Sequence, residues 1–384
     1  MVRILTFILK LYWDVMAIYS SKVNRELKRI AGQMHTGLDR MLGPSRTRRY
    51  DGAREAAVIV TKGNQPLMGK VCIFLVFQPN GIADSIVETC SFLNDLGLSV
   101  MIVSNVPISS SDHNRLFAVV WQIIERSNIG YDFGGYREGI LQLLDQSILP
   151  DQLVILNDSV WLITTSGEKF ITETLALDAD SAGSVLRVRR RKAKHYWLES
   201  YFLTFRKSTL QNPGFQAFWQ NYPLLNTKKA VVRYGELHLG HTLQQLGFAM
   251  ESKASNAFFC SALQNYPNKA LQSFLQYASL EGAEETTRNL LLAGFADSEL
   301  WRSSALSLFT EAMKTSEFQF VFAYASAKIL NFPFVKKGVD AKYRVGRQQY
   351  LAAVNCGDLP MPSQTVLNEI AQQVALDKEM FPNI

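Results

Sequence analysis

Features that would identify several common classes of protein are missing from this 384-residue sequence. Its four cysteines lie far apart and form no CxxC pair, so neither a zinc knuckle nor a disulfide framework is indicated. Five scattered histidines do not supply the clustered ligands of a metallohydrolase. No uncharged apolar run reaches the roughly 18 residues of an ordinary membrane-spanning helix. Walker A and GxGxxG spacings are absent, so the sequence indicates neither a nucleotide hydrolase nor an NAD enzyme.

Net positive charge is also absent from most of the chain. Residues 1–54 carry 11 Lys and Arg against four Asp and Glu, whereas residues 55–384 carry 29 against 30. A basic surface spread over the whole fold is therefore not expected, which argues against a nucleic-acid partner. Hydrophobic residues make up 47% of the chain, enough to bury a sizeable core. At roughly 150 residues per domain, the length predicts two domains or one large domain with an appendage.

The N-terminal segment combines apolar and basic residues. Residues 4–19 are mostly apolar and aromatic, but Lys10 and Asp14 interrupt them, and a basic stretch follows at 21–32. This pattern predicts an amphipathic helix at the surface of an anionic membrane. The alternative is a helix packed on the protein's own surface with its charges in water. The glycines, prolines and scattered arginines of residues 31–68 predict a connector.

An alternation of strands and helices begins at Val71. Apolar runs of strand length, separated by segments with helical spacing or by loops, lie at 71–78, 98–105, 119–125 and 153–159. Strands that alternate with helices predict an α/β fold with a mostly parallel, Rossmann-type sheet flanked by helices. The later sequence is mainly helical. The expected units are an N-terminal segment with its connector (1–54), an α/β domain (55–255) and a helical C-terminal region (256–384).

Two polar motifs fall where parallel sheets bind ligands, at the carboxyl ends of strands. SNIGYDFGGYREG at 127–139 opens a helix, and its glycines permit close backbone approach to a ligand. LNDS at 156–159 ends the fourth strand with a carboxylate that can approach a metal–diphosphate or a sugar hydroxyl. The alternatives are a capped βα turn and an Asx turn. The candidate residues in these motifs are Asn128, Gly130, Asp132, Gly134, Gly135, Arg137, Asn157, Asp158 and Ser159.

Two further segments carry titratable or cationic groups. RYGELHLGH at 233–241 places Glu236 just inside a predicted helix, where a carboxylate can be a general base or simply favour the helix start. His238 and His241 are three residues apart, a spacing that by itself does not indicate a metal site. Residues 187–194 hold six basic side chains in eight positions. These can neutralise phosphates or protect an edge strand.

In their order along the chain, these motifs resemble the inverting GT-A glycosyltransferases. They resemble more closely the rhamnan synthesis F family of bacterial polysaccharide glycosyltransferases. The segments that carry the resemblance, between residues 70 and 340, are SNIGYDFGGYREGI, LVILNDSVW, HYWLESYFLTFRK, RYGELHLGHTLQQLGF and LNFPFVKKG. The sequence has NDS where a GT-A enzyme shows DxD, which leaves metal dependence open. It also has Val160 and Trp161 in place of an aromatic-Gly-Pro turn, and Glu199 where the family favours glutamine.

The resemblance implies a GT-A-like fold and transfer of rhamnose or a similar sugar, with inversion, from a nucleotide-sugar donor. The implied acceptor is a lipid-linked polysaccharide such as the O-antigen of lipopolysaccharide, made at the inner face of the bacterial cytoplasmic membrane. In that mechanism Glu236 deprotonates the acceptor hydroxyl, and Asp158, alone or with Mg²⁺ or Mn²⁺, faces the donor diphosphate. The implied acceptor or phosphate contacts are Arg187, Arg189, Arg191, His195, Ser200, Tyr201 and Arg206. The missing DxD motivates a second interpretation, a non-catalytic scaffold that binds a nucleotide sugar or a glycan.

Overall fold

A large, mostly parallel sheet with helices on both faces forms the centre of the protein. The structure is a computed structural model of the chain and describes residues 2–190 and 194–381. Its main sheet has eight strands, which confirms the predicted α/β class.

The strands alternate with helices through the first half of the chain. The strands are β1 (Ile59–Lys62), β2 (Lys70–Val76), β3 (Leu98–Ser104), β4 (Gln122–Glu125), β5 (Gln152–Asn157), β6 (Val160–Leu162), β7 (Ser181–Gly183), β8 (Leu186–Arg190), β9 (Lys194–Leu198), β10 (Phe202–Arg206), β11 (Met250–Ser252) and β12 (Phe334–Lys336).

Helices precede, separate and follow these strands. They are α1 (Val2–Ala57), α2 (Asp84–Asp95), α3 (Ser110–Phe117), α4 (Tyr131–Asp145), α5 (Thr164–Leu175), α6 (Lys207–Gln211), α7 (Pro213–Gln220), α8 (Lys228–Val231), a π-helix (Val232–Glu236), α9 (Leu237–Gln245), α10 (Asn256–Leu263), α11 (Asn268–Gln276), α12 (Gly282–Ala293), α13 (Glu299–Thr315), α14 (Phe318–Val321), α15 (Ala323–Leu330), α16 (Ala341–Asn355) and α17 (Gln364–Met380).

The order of strands across the main sheet is β1-β4-β3-β2-β5-β10-β7-β11. β2 pairs in parallel with β3 and β5, and β3 with β4, whereas β1 and β10 run antiparallel to the strands beside them. Residues 71–76 of β2 and all of β3 are buried, since helices cover both faces of the sheet. The carboxyl ends of β2, β3, β4 and β5 therefore meet at one edge, which we call the carboxyl edge.

Two hydrophobic cores lie on the two faces of the sheet. One face packs against α4, α7 and α9, in a cluster that includes Phe133 and Trp219. The other packs against α2, α5 and the C-terminal helices, where Phe74 shares a cluster with Phe309 and Ile370. The mainly helical C-terminal part also adds the strand β12, which pairs antiparallel with β6. The division of the chain into domains stays a prediction.

The expected connector at 31–68 is wrong in its first part, because α1 runs from Val2 to Ala57. Pro44 lies inside this helix, and Gly43 lies so close to the loop at 222–225 that a Cβ on it would stand 2.8 Å from Pro223 Cβ. Glycine and proline ordinarily weaken a helix interior. Here packing against the α/β body outweighs local propensity, since most helical stability in proteins comes from tertiary contacts.

Polar contacts attach the C-terminal part of α1 to α4. The Tyr50 hydroxyl and Arg54 Nε each donate a hydrogen bond of 2.7 Å to the Glu138 carboxylate, whose side chain is 0% exposed. Arg137 donates to both oxygens of Asp51, at 2.7 and 2.8 Å. Because α4 begins in the predicted glycine-rich motif, these contacts connect the N-terminal helix to the candidate site.

Removing the Glu138 carboxylate should destabilise the protein strongly. In Glu138→Ala, the Arg54 guanidinium and the Tyr50 hydroxyl would lose the buried partner that they share. Breaking a buried pair in this way typically costs about 3–5 kcal/mol, so we expect a fall of that size in the free energy of unfolding, measured with urea. The control is Glu311→Ala, because its exposed pair with Lys314 is of a kind worth about 1 kcal/mol or less. Equal stability of the two variants would contradict the prediction.

Helix α1 also exposes apolar side chains. Met34, Leu38, Met41 and Leu42 are all more than half exposed, and their spacing of three and four residues places them on one side of the helix. We call this set the apolar stripe. Within the described part of the chain, no helix combines the length and the apolar character needed to cross a membrane.

Candidate functional site

Asp158 lies at the carboxyl edge, directly after β5. Its Oδ2 accepts hydrogen bonds from the backbone N–H of Phe77 at 2.8 Å and from Gln78 Nε2 at 2.6 Å. Both donors follow the neighbouring strand β2, so the pairing of β2 with β5 determines where this carboxylate points. Burial raises the pKa of Asp158, and the hydrogen bonds from Gln78 and Phe77 oppose the shift. The sheet thus holds a carboxylate where parallel sheets bind their ligands.

The glycine-rich motif forms the turn from β4 into α4. Gly130 has a φ of 87°, and Tyr131 has a φ of 49°, which is uncommon for a residue with a side chain. Such strained residues cluster at functional sites. Asp132 follows in the first turn of α4, where desolvation by the surrounding protein and the charge of Asp158 raise its pKa to about 6. Asp132 is nevertheless exposed as a residue. Neighbouring atoms therefore reduce the hydration of its carboxyl group, but the side chain is not part of the core.

Gly134 and Gly135 serve packing within the protein. A Cβ on Gly134 would stand within 3.0 Å of the carbonyl oxygen of Ile129, and one on Gly135 would be as close to Leu75 Cδ1. The two glycines therefore let α4 approach the preceding turn and the sheet, and their expected contact with a ligand stays a prediction. Asn128 is exposed in the loop before the turn.

A chain of hydrogen bonds joins three motifs, namely the glycine-rich segment at 127–139, LNDS at 156–159 and RYGELHLGH at 233–241. Asn157 Nδ2 donates to the Tyr136 hydroxyl at 2.7 Å, and that hydroxyl donates to the carbonyl oxygen of Ser200 at 2.9 Å. The backbone N–H and the hydroxyl of Ser200 donate to Glu236 Oε2 at 3.1 and 2.7 Å. Asn157 Oδ1 also accepts from the backbone N–H of Ser159 at 3.1 Å. The end of β5, helix α4 and the segment that carries Glu236 are thereby held relative to one another.

Glu236 lies at the end of the π-helix. We expected it just inside a helix N-terminus, but α8, the π-helix and α9 form one continuous helical segment, residues 228–245. The segment begins earlier because the Thr227 side chain caps it by accepting from the N–H of Ala230. Isolated π-helical turns occur frequently at functional sites. Burial raises the pKa of Glu236, although the hydrogen bond from the Ser200 hydroxyl opposes the shift.

Two lysines that the sequence interpretation did not include lie beside these residues. Lys336 ends β12 and Lys337 follows it, and the pairing of β12 with β6 brings both to the carboxyl edge. Lys336 Nζ lies 3.4 Å from Ser159 Oγ and 3.8 Å from the ring centroid of Tyr201, which is buried. The sequence contained one indication of these lysines, because FPFVKK belongs to a segment that resembles the family. The sequence could not show, however, that Lys336 contacts Ser159, which lies 177 residues earlier in the chain.

Three arginines that we expected at the site are engaged with carboxylates. Arg137 binds α1, as described above. Arg187 is held by two carboxylates, one of which is Glu199. Arg206 ends β10, which runs antiparallel to β5, so it lies at the opposite edge of the sheet from Asp158, where it pairs with another aspartate at 3.1 Å. The protein itself therefore provides a counter-charge for each of the three.

The structure describes only some of the other residues that we expected to contact the acceptor or the phosphates. Arg189 lies in β8, but its side chain is outside the described part, and Arg191 lies outside the described residues altogether. His195 stacks on His241 with ring centroids 5.3 Å apart. Among the residues that the structure describes, no group of three or more His, Cys, Asp and Glu side chains could hold a metal ion.

A family model matches the part of the chain that carries the three motifs, and a related protein matches 68% of the chain. The model described as RgpF, rhamnan synthesis protein F, matches residues 100–259, which include all three motifs. An uncharacterized protein, y4gN, from Sinorhizobium fredii (strain NBRC 101917 / NGR234) is 34% identical over 260 residues, or 68% of each chain.

Similarities to solved structures are weak. The mannosyltransferase PcManGT from Pyrobaculum calidifontis, in complex with GDP-Man and Mn²⁺, is 9% identical with a TM-score of 0.30, over 92% of this chain and 98% of that one. TarS 1–349 from S. aureus is 10% identical with a TM-score of 0.22, over 76% of this chain and 93% of that one.

Proposed function

The chain belongs to the rhamnan synthesis protein F family, and from this membership we propose that it is a glycosyltransferase that moves a sugar from a nucleotide-sugar donor to a growing polysaccharide. The observation that carries the proposal is the hydrogen-bonded chain from Asn157 to Glu236 beside the carboxylates of Asp132 and Asp158. This arrangement combines a candidate general base with a candidate donor pocket at the ligand-binding edge of the sheet.

Glu236 is the general base in this mechanism. Ser200 holds its Oε2 with two hydrogen bonds, while Oε1 has no hydrogen-bond partner in the described part of the chain. A carboxylate whose pKa is raised by burial accepts a proton more readily than an ordinary one. Glu236 takes the proton of the acceptor hydroxyl as that oxygen attacks the anomeric carbon opposite the leaving nucleoside diphosphate. Attack from that side inverts the anomeric configuration.

The donor pocket lies between Asp158 and the turn into α4. Asp132 and Asp158 are close enough for the charge of Asp158 to raise the pKa of Asp132. Carboxylates accept hydrogen bonds from the hydroxyls of a sugar or a ribose. We propose that Asn128, Gly130 and Ser159 also line this pocket, together with the backbone N–H groups at the start of α4, because all of them lie at the carboxyl edge.

A divalent cation is a further expectation for an enzyme of this type. Asp132 and Asp158 are the residues that would hold Mg²⁺ or Mn²⁺ together with the donor phosphates, and a bound ion would neutralise charge on the leaving phosphate. They fit such an ion poorly, because Lys336 already places positive charge near Asp132 and Lys337 near Asp158. In the proposed mechanism, proton transfer and donor binding therefore depend only on groups of the protein.

The sugar and the acceptor are proposed from the family. The transferred sugar is rhamnose or a similar sugar, and the acceptor is a lipid-linked polysaccharide such as O-antigen. A screen of UDP-, GDP- and dTDP-sugars with the full-length protein tests the function. We expect one donor to release nucleoside diphosphate, faster when a glycan acceptor is present. Binding of a nucleoside diphosphate with no turnover would favour the scaffold interpretation, and neither binding nor turnover would contradict both.

Helix α1 is proposed to hold the enzyme on the inner face of the bacterial cytoplasmic membrane. Its N-terminal part is apolar and aromatic, residues 1–54 are basic, and the apolar stripe extends along the same helix. The full-length protein should float with vesicles that contain anionic lipid, and high salt should weaken that binding. Equal flotation with purely zwitterionic vesicles would rule out the electrostatic contribution, and no flotation with either would remove the proposal.

A further inference from the structure

Backbone and aromatic contacts hold Lys336 and Lys337 at the carboxyl edge. The N–H of Lys337 donates to the carbonyl oxygen of Ser159 at 2.9 Å, and Lys336 Nζ donates to Ser159 Oγ at 3.4 Å. Each ammonium group lies over an aromatic face. Lys336 Nζ is 3.8 Å from the ring centroid of Tyr201, and Lys337 Nζ is 5.0 Å from that of Trp161. Cation–π contacts orient the ammonium groups but leave their charge in place.

The two lysines have charged neighbours but no direct ion pair in the described part of the chain. The charged groups that act on them are the carboxylates of Glu199, Glu236, Asp132, Asp158 and Glu369 and the ammonium of Lys228. None of the described carboxylates lies within the 4.0 Å of an ion pair from either lysine. Charges that are removed from water are normally paired. Each ammonium group therefore lacks a direct counter-charge among the described residues and is available to a bound anion.

Two of those carboxylates are already bonded elsewhere. Glu199 accepts hydrogen bonds from Arg187 and Gln319, and Glu369 accepts from Trp161 and Ser85. The remaining carboxylates, Asp132, Asp158 and Glu236, belong to the proposed mechanism, and the charge of each opposes the fall in the pKa of one of the two lysines.

Desolvation affects both ammonium groups. Burial lowers the pKa of Lys336 to about 8, against the opposing effect of the carboxylates, and it also lowers the pKa of Lys337. Lys336 therefore remains mostly protonated at neutral pH. A bound anion would favour its charged form, and the reduced access of water strengthens that attraction.

We propose that Lys336 and Lys337 bind the diphosphate of the donor and stabilise the charge that develops on it, so that sugar transfer needs no divalent cation. This inference rests on the proposed glycosyltransferase function. The acceptor oxygen bonds to the anomeric carbon and its proton passes to Glu236. The bond from that carbon to the diphosphate oxygen breaks, and its electron pair stays on the oxygen. The ammonium groups donate charge-assisted hydrogen bonds to the departing diphosphate.

Titration of nucleoside diphosphates in excess EDTA tests this inference separately from turnover. UDP, GDP and dTDP are titrated calorimetrically into the full-length wild-type protein and into Lys336→Met and Lys337→Met. We expect the wild-type protein to bind one of them in EDTA, and each variant to bind it about 10- to 100-fold more weakly, the usual effect of losing a hydrogen bond from a charged group. Lys62→Met is the matched control and should bind as wild type, because Lys62 is exposed on β1 beside the start of β4, away from the carboxyl edge.

The outcomes separate this inference from the function on which it rests. Wild-type binding that appears only when Mg²⁺ or Mn²⁺ is added would overturn the inference and leave the proposed function standing. Folded Lys336→Met and Lys337→Met proteins that bind as tightly as wild type would also overturn it. Failure to bind any diphosphate under either condition would overturn both. If Lys336→Met does not fold, Lys337→Met and the cation dependence of the wild-type protein decide the question.

Discussion

The Glu236→Gln enzyme should transfer sugar about 10²- to 10⁴-fold more slowly than the wild-type enzyme, the range that a general base typically contributes. Glutamine keeps the shape of the side chain, and its amide oxygen can still accept the two hydrogen bonds from Ser200. The site should therefore stay assembled while the group that takes the proton is lost. We expect kcat to fall with little change in the KM for the donor, since the base acts on the acceptor hydroxyl.

Steady-state release of nucleoside diphosphate in the presence of acceptor measures this effect. Glu251→Gln is the matched control, because Glu251 is an exposed carboxylate on β11. It should retain wild-type kcat. A Glu236→Gln enzyme with wild-type kcat would remove Glu236 as the base without affecting the family assignment.

Asp158→Asn should lower kcat/KM for the donor about 10- to 100-fold, the usual effect of losing a hydrogen bond to a charged group. In the wild-type protein, the donors of Phe77 and Gln78 converge on one carboxylate oxygen. An asparagine can keep those bonds only by turning its oxygen toward them, which leaves its NH₂ group facing the donor pocket. In the proposed mechanism, a hydroxyl of the nucleotide sugar donates a hydrogen bond to Asp158. In the variant, that hydroxyl would face an NH₂ group, which cannot accept the bond. The KM for the donor should therefore rise.

The matched control for Asp158→Asn is Asp151→Asn. Asp151 is exposed at the opposite edge of the sheet, where it pairs with Lys207 at 3.0 Å. This control should have wild-type kcat/KM. If Asp158→Asn is folded and shows the same donor KM and kcat as the control, Asp158 does not contact the donor.

The parallel strands could be predicted because of how their residues are buried. β2, β3 and β5 are covered on both faces, so they appear in the sequence as continuous apolar runs rather than alternating ones. Helix α1 shows the opposite case. Its Gly43 and Pro44 indicated a connector, because local propensity carries no information about the loop at Pro223 against which the helix packs.

Some residues of the candidate site could be predicted from the sequence and others could not. Asp132 and Asp158 could be placed at the carboxyl edge from the sequence, because each follows a recognisable strand. The packing role of Gly134 and Gly135 could not be predicted from the sequence. A glycine that lets a ligand approach the backbone and a glycine that lets another part of the chain approach it occur in the same local sequence pattern. The position of Glu236 within a continuous helix depended on a cap at Thr227 and a π-helical turn that the pattern of residues did not show.

By itself, the sequence determined the order of strands and helices, the edge of the sheet where polar residues collect, and the segregation of positive charge into residues 1–54. These properties depend on neighbouring residues, which composition and periodicity report directly. Only the tertiary structure decided that Asn157, Tyr136, Ser200 and Glu236 form one hydrogen-bonded chain, and that β12 brings two lysines to the same edge. Such contacts join residues far apart in the chain, and they arise from strand pairing and burial rather than from any local preference.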